Sequence, residues 1–146
     1  MTSHPSPVTR HQKIALIGAK GMLASMVKRK LPEEFTLVEF DLPEFDLTDY
    51  DQVIKTVCQV APEVIINCAA FTNVDGCESQ EEIATRVNGV AVGHLAEAAL
   101  AIDATLVHIS TDYVFPGNGT TPLREDESTD PQSAYGRSKL LGEQSV

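Results

Sequence analysis

Tyr135 and Lys139 stand four residues apart, a spacing that puts both side chains on one face of a helix. A phenol and an ammonium so placed are suited to moving a proton. The phenol alone is too weak an acid to release its proton readily at neutral pH, and a neighbouring ammonium favours phenolate and lowers the tyrosine pKa. Reducing a carbonyl calls for such a donor, because its oxygen needs a proton as hydride reaches its carbon. General acid catalysis of this kind contributes roughly 10²–10⁴ in rate. Upstream, an apolar run ends in Ser110-Thr111-Asp112, where a hydroxyl could orient the same carbonyl oxygen. In isolation a tyrosine and lysine at this spacing are common on solvated helix faces. Their weight here comes from a second feature near the start of the chain.

That feature is Gly18-Ala19-Lys20-Gly21-Met22-Leu23-Ala24, between an apolar run and an amphipathic segment. Glycine allows a tight turn and lets backbone amides approach a pyrophosphate, and the start of a helix adds partial positive charge. Ala24 stands where a third glycine would, small enough for close helix–strand packing. The next apolar run ends at Asp41, whose carboxylate could accept hydrogen bonds from the adenosine ribose and repel a 2′-phosphate, a lean toward NADH over NADPH. Asp46 is placed to meet an adenine edge, with Leu47 beside it.

The elements that must position these groups alternate. Lys13 to Gly18, Thr36 to Asp41, Val64 to Ala69 and Thr105 to Ser110 read as strands, largely buried. Leu23, Met26, Val27 and Leu31 recur at helical spacing up to Pro32. Thr48 is expected to cap a helix whose apolar face is Val53, Ile54, Val57 and Val60. One long, well-buried helix is expected from about Ser79 to Ile102. A polar loop covers 116–132, and Ser133 caps a last helix carrying Tyr135 and Lys139. Apolar strands separated by helices predict an α/β fold, a Rossmann-type doubly wound parallel sheet, with ligands outside the carboxyl ends of its strands. Residues 1–12, polar with two prolines, read as a flexible tail, and 13–146 as one dinucleotide-binding domain.

Composition narrows the function classes. The chain has 146 residues, enough for one domain and too few for two, and 42% of them are hydrophobic. A formal charge of −10 argues against nucleic acid as a partner. No apolar run approaches the ~18 residues of a membrane span. Cys58, Cys68 and Cys77 are odd in number and form no C-x-x-C, which fits reduced thiols in a cytoplasm. No His/Cys cluster has metal-ligand spacing.

Three stretches, Ile65 to Glu78 (IINCAAFTNVDGCE), Ile109 to Phe115 (ISTDYVF) and Tyr135 to Glu143 (YGRSKLLGE), resemble the extended short-chain dehydrogenases/reductases, and within them the dTDP-4-dehydrorhamnose reductase family. Pro122, Glu125 and Pro131 fall on that family's P-Y-x-E-x-D-x-x-x-P pattern. The likeness runs from about Lys13 to the end of the chain. Pro116 departs from the usual aspartate of V-F-D-G, and Leu123 from the usual tyrosine. The resemblance implies NADPH or NADH as cofactor and a nucleotide sugar as substrate, reduced at its 4-keto group. It implies that Thr111, Tyr135 and Lys139 are catalytic, and that Lys139 also holds the nicotinamide ribose. Gly18, Gly21, Met22 and Leu23 would line the pyrophosphate turn, Asp41, Asp46 and Leu47 the adenosine, and Ala70, Phe71 and Thr72 the cofactor beyond the third strand. Thr111 and Asp112 would lie near the sugar. Members of that family are about twice as long, so what is present corresponds to a Rossmann part truncated before the C-terminal substrate domain.

Other readings compete. A dehydratase of the same superfamily would carry S-T-D-E, and Tyr113 stands in place of that glutamate, which removes the second carboxylate that elimination needs. A nucleotide-sugar epimerase shares the Thr/Tyr/Lys set. A non-catalytic dinucleotide-binding subunit, similar to the regulatory β subunit of methionine adenosyltransferase, is a reading of a different class. A further reading is self-association through an open sheet edge, which would give a homo-oligomer.

Overall fold

The computed structural model describes residues 12–146. The expected tail, residues 1–12, lies outside this range except for Gln12. Four parallel strands form one sheet: β1 (Lys13–Ile17), β2 (Thr36–Phe40), β3 (Val64–Asn67) and β4 (Thr105–His108), in the order β2-β1-β3-β4. The helices are α1 (Met22–Lys30), α2 (Tyr50–Val60), α3 (Val74–Ser79), α4 (Glu81–Thr85), α5 (Ala91–Ala101) and α6 (Ala134–Glu143). This is the α/β, Rossmann-type sheet that the alternation of runs predicts.

Period-two burial explains the layers. Ala15 and Ile17 of β1, with Ile65 of β3, face a core completed by Val53 and Val57 of α2 and Leu95 and Ala98 of α5. Leu16 points to the opposite face and packs with Ala24 and Val27 of α1 and with Ile66. β1 is therefore covered on both sides, which is why it reads as a continuous apolar run.

The chain runs β1 to β2 on one side of the sheet, then crosses β1 to lay β3 on the other. The strand order reverses between β1 and β3, so a crevice opens at their carboxyl ends. In the same register Phe40, Ile17, Asn67 and His108 form one cross-strand row at the lip of that crevice.

Two expectations are corrected. The helix expected from Ser79 to Ile102 runs from Glu81 to Ala101 with a π turn inside it, and a separate short helix, α3, precedes it. Asn73 caps α3 by accepting from the Gly76 amide at 2.9 Å, Gln80 breaks the path with φ −133°, and a π turn over Arg86–Val90 separates α4 from α5. The cap of α2 is Asp49, not Thr48. The Asp49 carboxylate accepts from the Gln52 amide at 3.0 Å, while the Thr48 hydroxyl is taken by Asp46 at 2.8 Å. Ser133 does cap α6, accepting from the Gly136 amide at 3.0 Å. Among the described residues no helix is long and apolar enough to cross a membrane, and no group of His, Cys, Asp and Glu could hold a metal ion.

Candidate active site

The turn after β1 is built by Gly18. Its φ of +74° is a region L side chains rarely adopt, and a Cβ there would sit 2.7 Å from the Ala69 backbone nitrogen. The glycine thus lets the β1 turn touch the chain leaving β3, where the crevice begins. Gly21 caps α1 without a side chain, and the first turn holds no acidic residue. The amides at the start of α1 therefore meet no carboxylate of their own helix, an arrangement suited to an anion. Met22 is 88% exposed at this point, a large apolar side chain left beside the opening.

Two clefts share Gly21, Cys68, Ala69 and Ala70. One, of about 410 Å³, is also lined by Gly18, Asp41, Asp46 and Leu47. The other, of about 290 Å³, is also lined by Met22, Leu23, Thr72, Tyr135 and Lys139. Together they make one crease across the carboxyl ends of the sheet. Most of the residues expected to hold a dinucleotide lie along it, with the adenosine candidates at one end and the Tyr135–Lys139 pair at the other.

At the first end, Asp41 is fixed by backbone. One carboxylate oxygen accepts from the Lys20 amide at 2.6 Å and the other from the Leu42 amide at 2.8 Å. The Lys20 ammonium donates to the Leu42 carbonyl and pairs with Glu44 at 3.4 Å. Asp46 accepts from both the amide and the hydroxyl of Thr48, at 2.9 and 2.8 Å, and these bonds hold its carboxyl below the usual carboxylate range.

At the second end, Tyr135 sits on the first turn of α6, its ring edge-on to Tyr113 at 5.7 Å. Burial pushes its phenol upward, and a hydrogen bond with the Thr111 side chain pulls the other way. This differs from the expectation that a lysine ammonium lowers it. Lys139 is only 2% exposed, and its Nζ turns under the strand, donating to the Ile109 carbonyl at 2.5 Å and lying 3.3 Å from His108 Nε2. Burial brings the Lys139 amine down to about 8, with Glu143 opposing. The same burial, and then the lysine itself, holds His108 down to about 4.

Thr111 and Asp112 line neither cleft. They form the turn beside Tyr135, with the Thr111 hydroxyl accepting from the Tyr113 amide at 3.3 Å and Asp112 exposed. That turn is locked to α6 at Gly136, where a Cβ would stand 2.3 Å from the Tyr113 carbonyl. Phe71, expected along the cofactor, is turned away. Its side chain packs with Cys77, Ala84 and Ala134, because Asn88 grips its backbone, accepting from its amide at 2.7 Å and donating to its carbonyl at 3.0 Å.

The buried polar residues Asn67, Asn88 and Ser138, and half-buried His108, escaped the sequence reading. Asn88 also donates to Ser138 at 3.0 Å, tying the π turn to α6 under the site. The available signal was a polar residue inside an otherwise apolar strand or helix.

The family model described as RmlD substrate binding domain matches residues 12–146. The chain belongs to the RmlD substrate binding domain family. A dTDP-4-dehydrorhamnose reductase of Streptomyces griseus is 40% identical, over 100% of this chain and 47% of that protein. Among solved structures similar to this RmlD-family chain, a dTDP-4-dehydrorhamnose reductase of Clostridium acetobutylicum superposes with a TM-score of 0.90 at 40% identity, covering 92% of this chain and 49% of that one. The corresponding reductase of Bacillus anthracis, in complex with NADP, superposes with a TM-score of 0.91 at 36% identity, covering 94% and 49%. The chain spans about half the length of the curated relatives it matches.

Proposed function

We propose that residues 13–146 are the dinucleotide-binding part of an NAD(P)H-dependent reductase, which acts on the 4-keto group of a dTDP-4-keto-6-deoxy sugar. The observation that carries this reading is the crease at the strand-order reversal, with a bare glycine turn and Asp41 at one end and Tyr135 beside Thr111 at the other. The relatives named above support the substrate class, and the NADP complex of one of them supports the cofactor.

The residues present suit a dinucleotide. Gly18 puts no side chain between its turn and Ala69, and the start of α1, with no side-chain cap, is suited to a pyrophosphate through Gly21, Met22 and Leu23. Asp41, Asp46 and Leu47 would hold the adenosine end, Ala70 and Thr72 the middle, and Lys139 the nicotinamide ribose. When bound, the cofactor supplies the hydride. Tyr135 gives its phenolic proton to the carbonyl oxygen, so the ketone becomes an alcohol and Tyr135 is left to recover a proton. The Thr111 hydroxyl, on the turn beside Tyr135, would orient that oxygen, and Asp112 would stand beside the sugar.

The first test is calorimetric titration of the 146-residue chain with NADPH and with NADH, for which binding of at least one is expected. The chemical step is tested in a protein of the relatives' full length. There Tyr135→Phe lowers turnover by roughly 10²–10⁴ while cofactor affinity stays nearly constant. Unchanged turnover in that variant would remove Tyr135 from the mechanism.

A further inference from the structure

The polar row at the lip of the sheet dictates where protons sit. The Asn67 side-chain oxygen accepts from the Ala69 amide at 3.0 Å. A backbone N–H can only donate, so the Asn67 amide cannot be turned the other way without setting two donors against each other. Its nitrogen therefore faces His108 Nδ1, at 3.2 Å, as a donor. Nδ1 must present a lone pair, so the neutral imidazole carries its proton on Nε2. That Nε2–H is aimed at Lys139 Nζ, 3.3 Å away.

An ammonium has three donors and no acceptor, and it would meet this N–H donor to donor. A neutral amine fits: its lone pair accepts from Nε2–H while one of its own hydrogens goes to the Ile109 carbonyl. We propose that His108 is a positioning residue that, oriented by Asn67, turns an N–H donor toward Lys139 and so disfavours its ammonium form before cofactor and substrate arrive. The burial that brings Lys139 down to about 8 acts in the same direction. Of the other titratable groups, Tyr135 on α6 and Cys68 beyond β3 line the same cleft as Lys139, and Glu143 on α6 acts on its charge. Glu143, bonded to the Ser110 hydroxyl, opposes the effect. Lys139 then stands as a group able to take up a proton near neutral pH instead of a permanent cation.

This inference rests on the reading that Lys139 serves the site, but its test needs neither cofactor nor turnover. Histidine- and lysine-labelled 146-residue chain is followed by nitrogen and carbon NMR against pH. The expected result is a neutral His108 with its proton on Nε2, and a Lys139 titration midpoint at about 8. Asn67→Asp preserves shape and the bond to Ala69 but replaces the donor facing Nδ1 by an acceptor. It should move the His108 proton to Nδ1, turn Nε2 into an acceptor, and raise the Lys139 midpoint by about one unit or more. A wild-type proton on Nδ1, a Lys139 that titrates in the ordinary lysine range, or an Asn67→Asp midpoint that rises with no change of tautomer overturns the proposal. If Asn67→Asp does not fold, the two wild-type readings decide. Failure of the chain to bind NADPH or NADH would count against the proposed function and leave these readings intact.

Discussion

Replacing Gly18 by alanine tests whether the crease is built by close passage of one strand's turn over another. Two costs combine. The backbone there has φ +74°, which costs an L residue about 1–2 kcal/mol. The new Cβ would lie 2.7 Å from the Ala69 nitrogen and 2.8 Å from its Cα, both backbone atoms that cannot rotate away. Relieving that overlap costs about 1–3 kcal/mol more. Gly117 supplies the control: its φ is +69°, nearly the same, and a Cβ there meets nothing within 4 Å. Gly117→Ala thus carries the conformational cost alone, and the unfolded-state gain of about 0.4–1 kcal/mol is common to both variants. The difference between them is the steric part. With a urea dependence of about 2 kcal/mol per molar, Gly18→Ala should unfold about 0.5–1.5 M earlier than Gly117→Ala. Urea unfolding followed by circular dichroism reads this directly, and calorimetry with NADPH should show weakened binding only for Gly18→Ala. Coincident midpoints would refute the close approach of the β1 turn to Ala69 and, with it, the account of the crease.

Three further predictions concern individual side chains. Asp41→Ala should shift cofactor preference toward NADPH, measured as the ratio of dissociation constants for NADPH and NADH; an unmoved ratio reduces Asp41 to a loop brace for Lys20 and Leu42. His108 is held down to about 4 in the fold against 6.5 as its ordinary value, so the unfolded chain binds more protons between those limits. Its contribution to stability is full above about pH 6.5 and is lost as pH falls toward 4. Screened by the solvent that reaches the half-exposed ring, the loss is on the order of 1–2 kcal/mol. His108→Gln should flatten that part of the stability-against-pH curve relative to wild type, and parallel curves would show that the ring titrates normally. Asn88→Ala removes the buried partner of the Phe71 amide and carbonyl and of Ser138, and should cost about 2–4 kcal/mol in urea unfolding.

Much of the fold was legible because its two central strands, β1 and β3, are covered on both faces. The continuous runs at 13–18 and 64–69 leave little room for another reading, and Ser133 sits where an N-cap is needed, three residues before the amide it accepts from. The π turn inside the helix from Glu81 to Ala101, and the break before it, are invisible in the sequence for a physical reason. Apolar side chains cover much of its circumference, and periodicity does not register a break in hydrogen bonding. The break at Gln80 and the π turn at Arg86–Val90 leave the hydrophobic pattern almost unchanged, yet they aim Asn88 at Phe71 and Ser138. The cap of α2 was ambiguous for a related reason. Thr48 and Asp49 are both good caps, and the choice was made by Asp46, which captures the threonine first.

The candidate site shows the same division more sharply. A spacing of four does place Tyr135 and Lys139 on one helix face, but it says nothing about what that face meets. The structure sets β4 beneath α6, so Lys139 finds its partners some thirty residues back along the chain, at the Ile109 carbonyl and His108. His108 in turn is beside Asn67 only because β3 and β4 pair in register at that row. On the proposal above, strand register bears on the proton affinity of the lysine, beside burial, through two polar side chains that look, in sequence, like blemishes in apolar strands. A sheet can tolerate such residues only when each donor and acceptor finds its match, and among the described residues no buried side-chain nitrogen or oxygen is left without one. That closure is what gives the row its force. Turning one amide or moving one proton would leave a buried donor facing a donor, so the arrangement transmits a constraint from the Ala69 backbone amide, through Asn67 and His108, to the amine of Lys139.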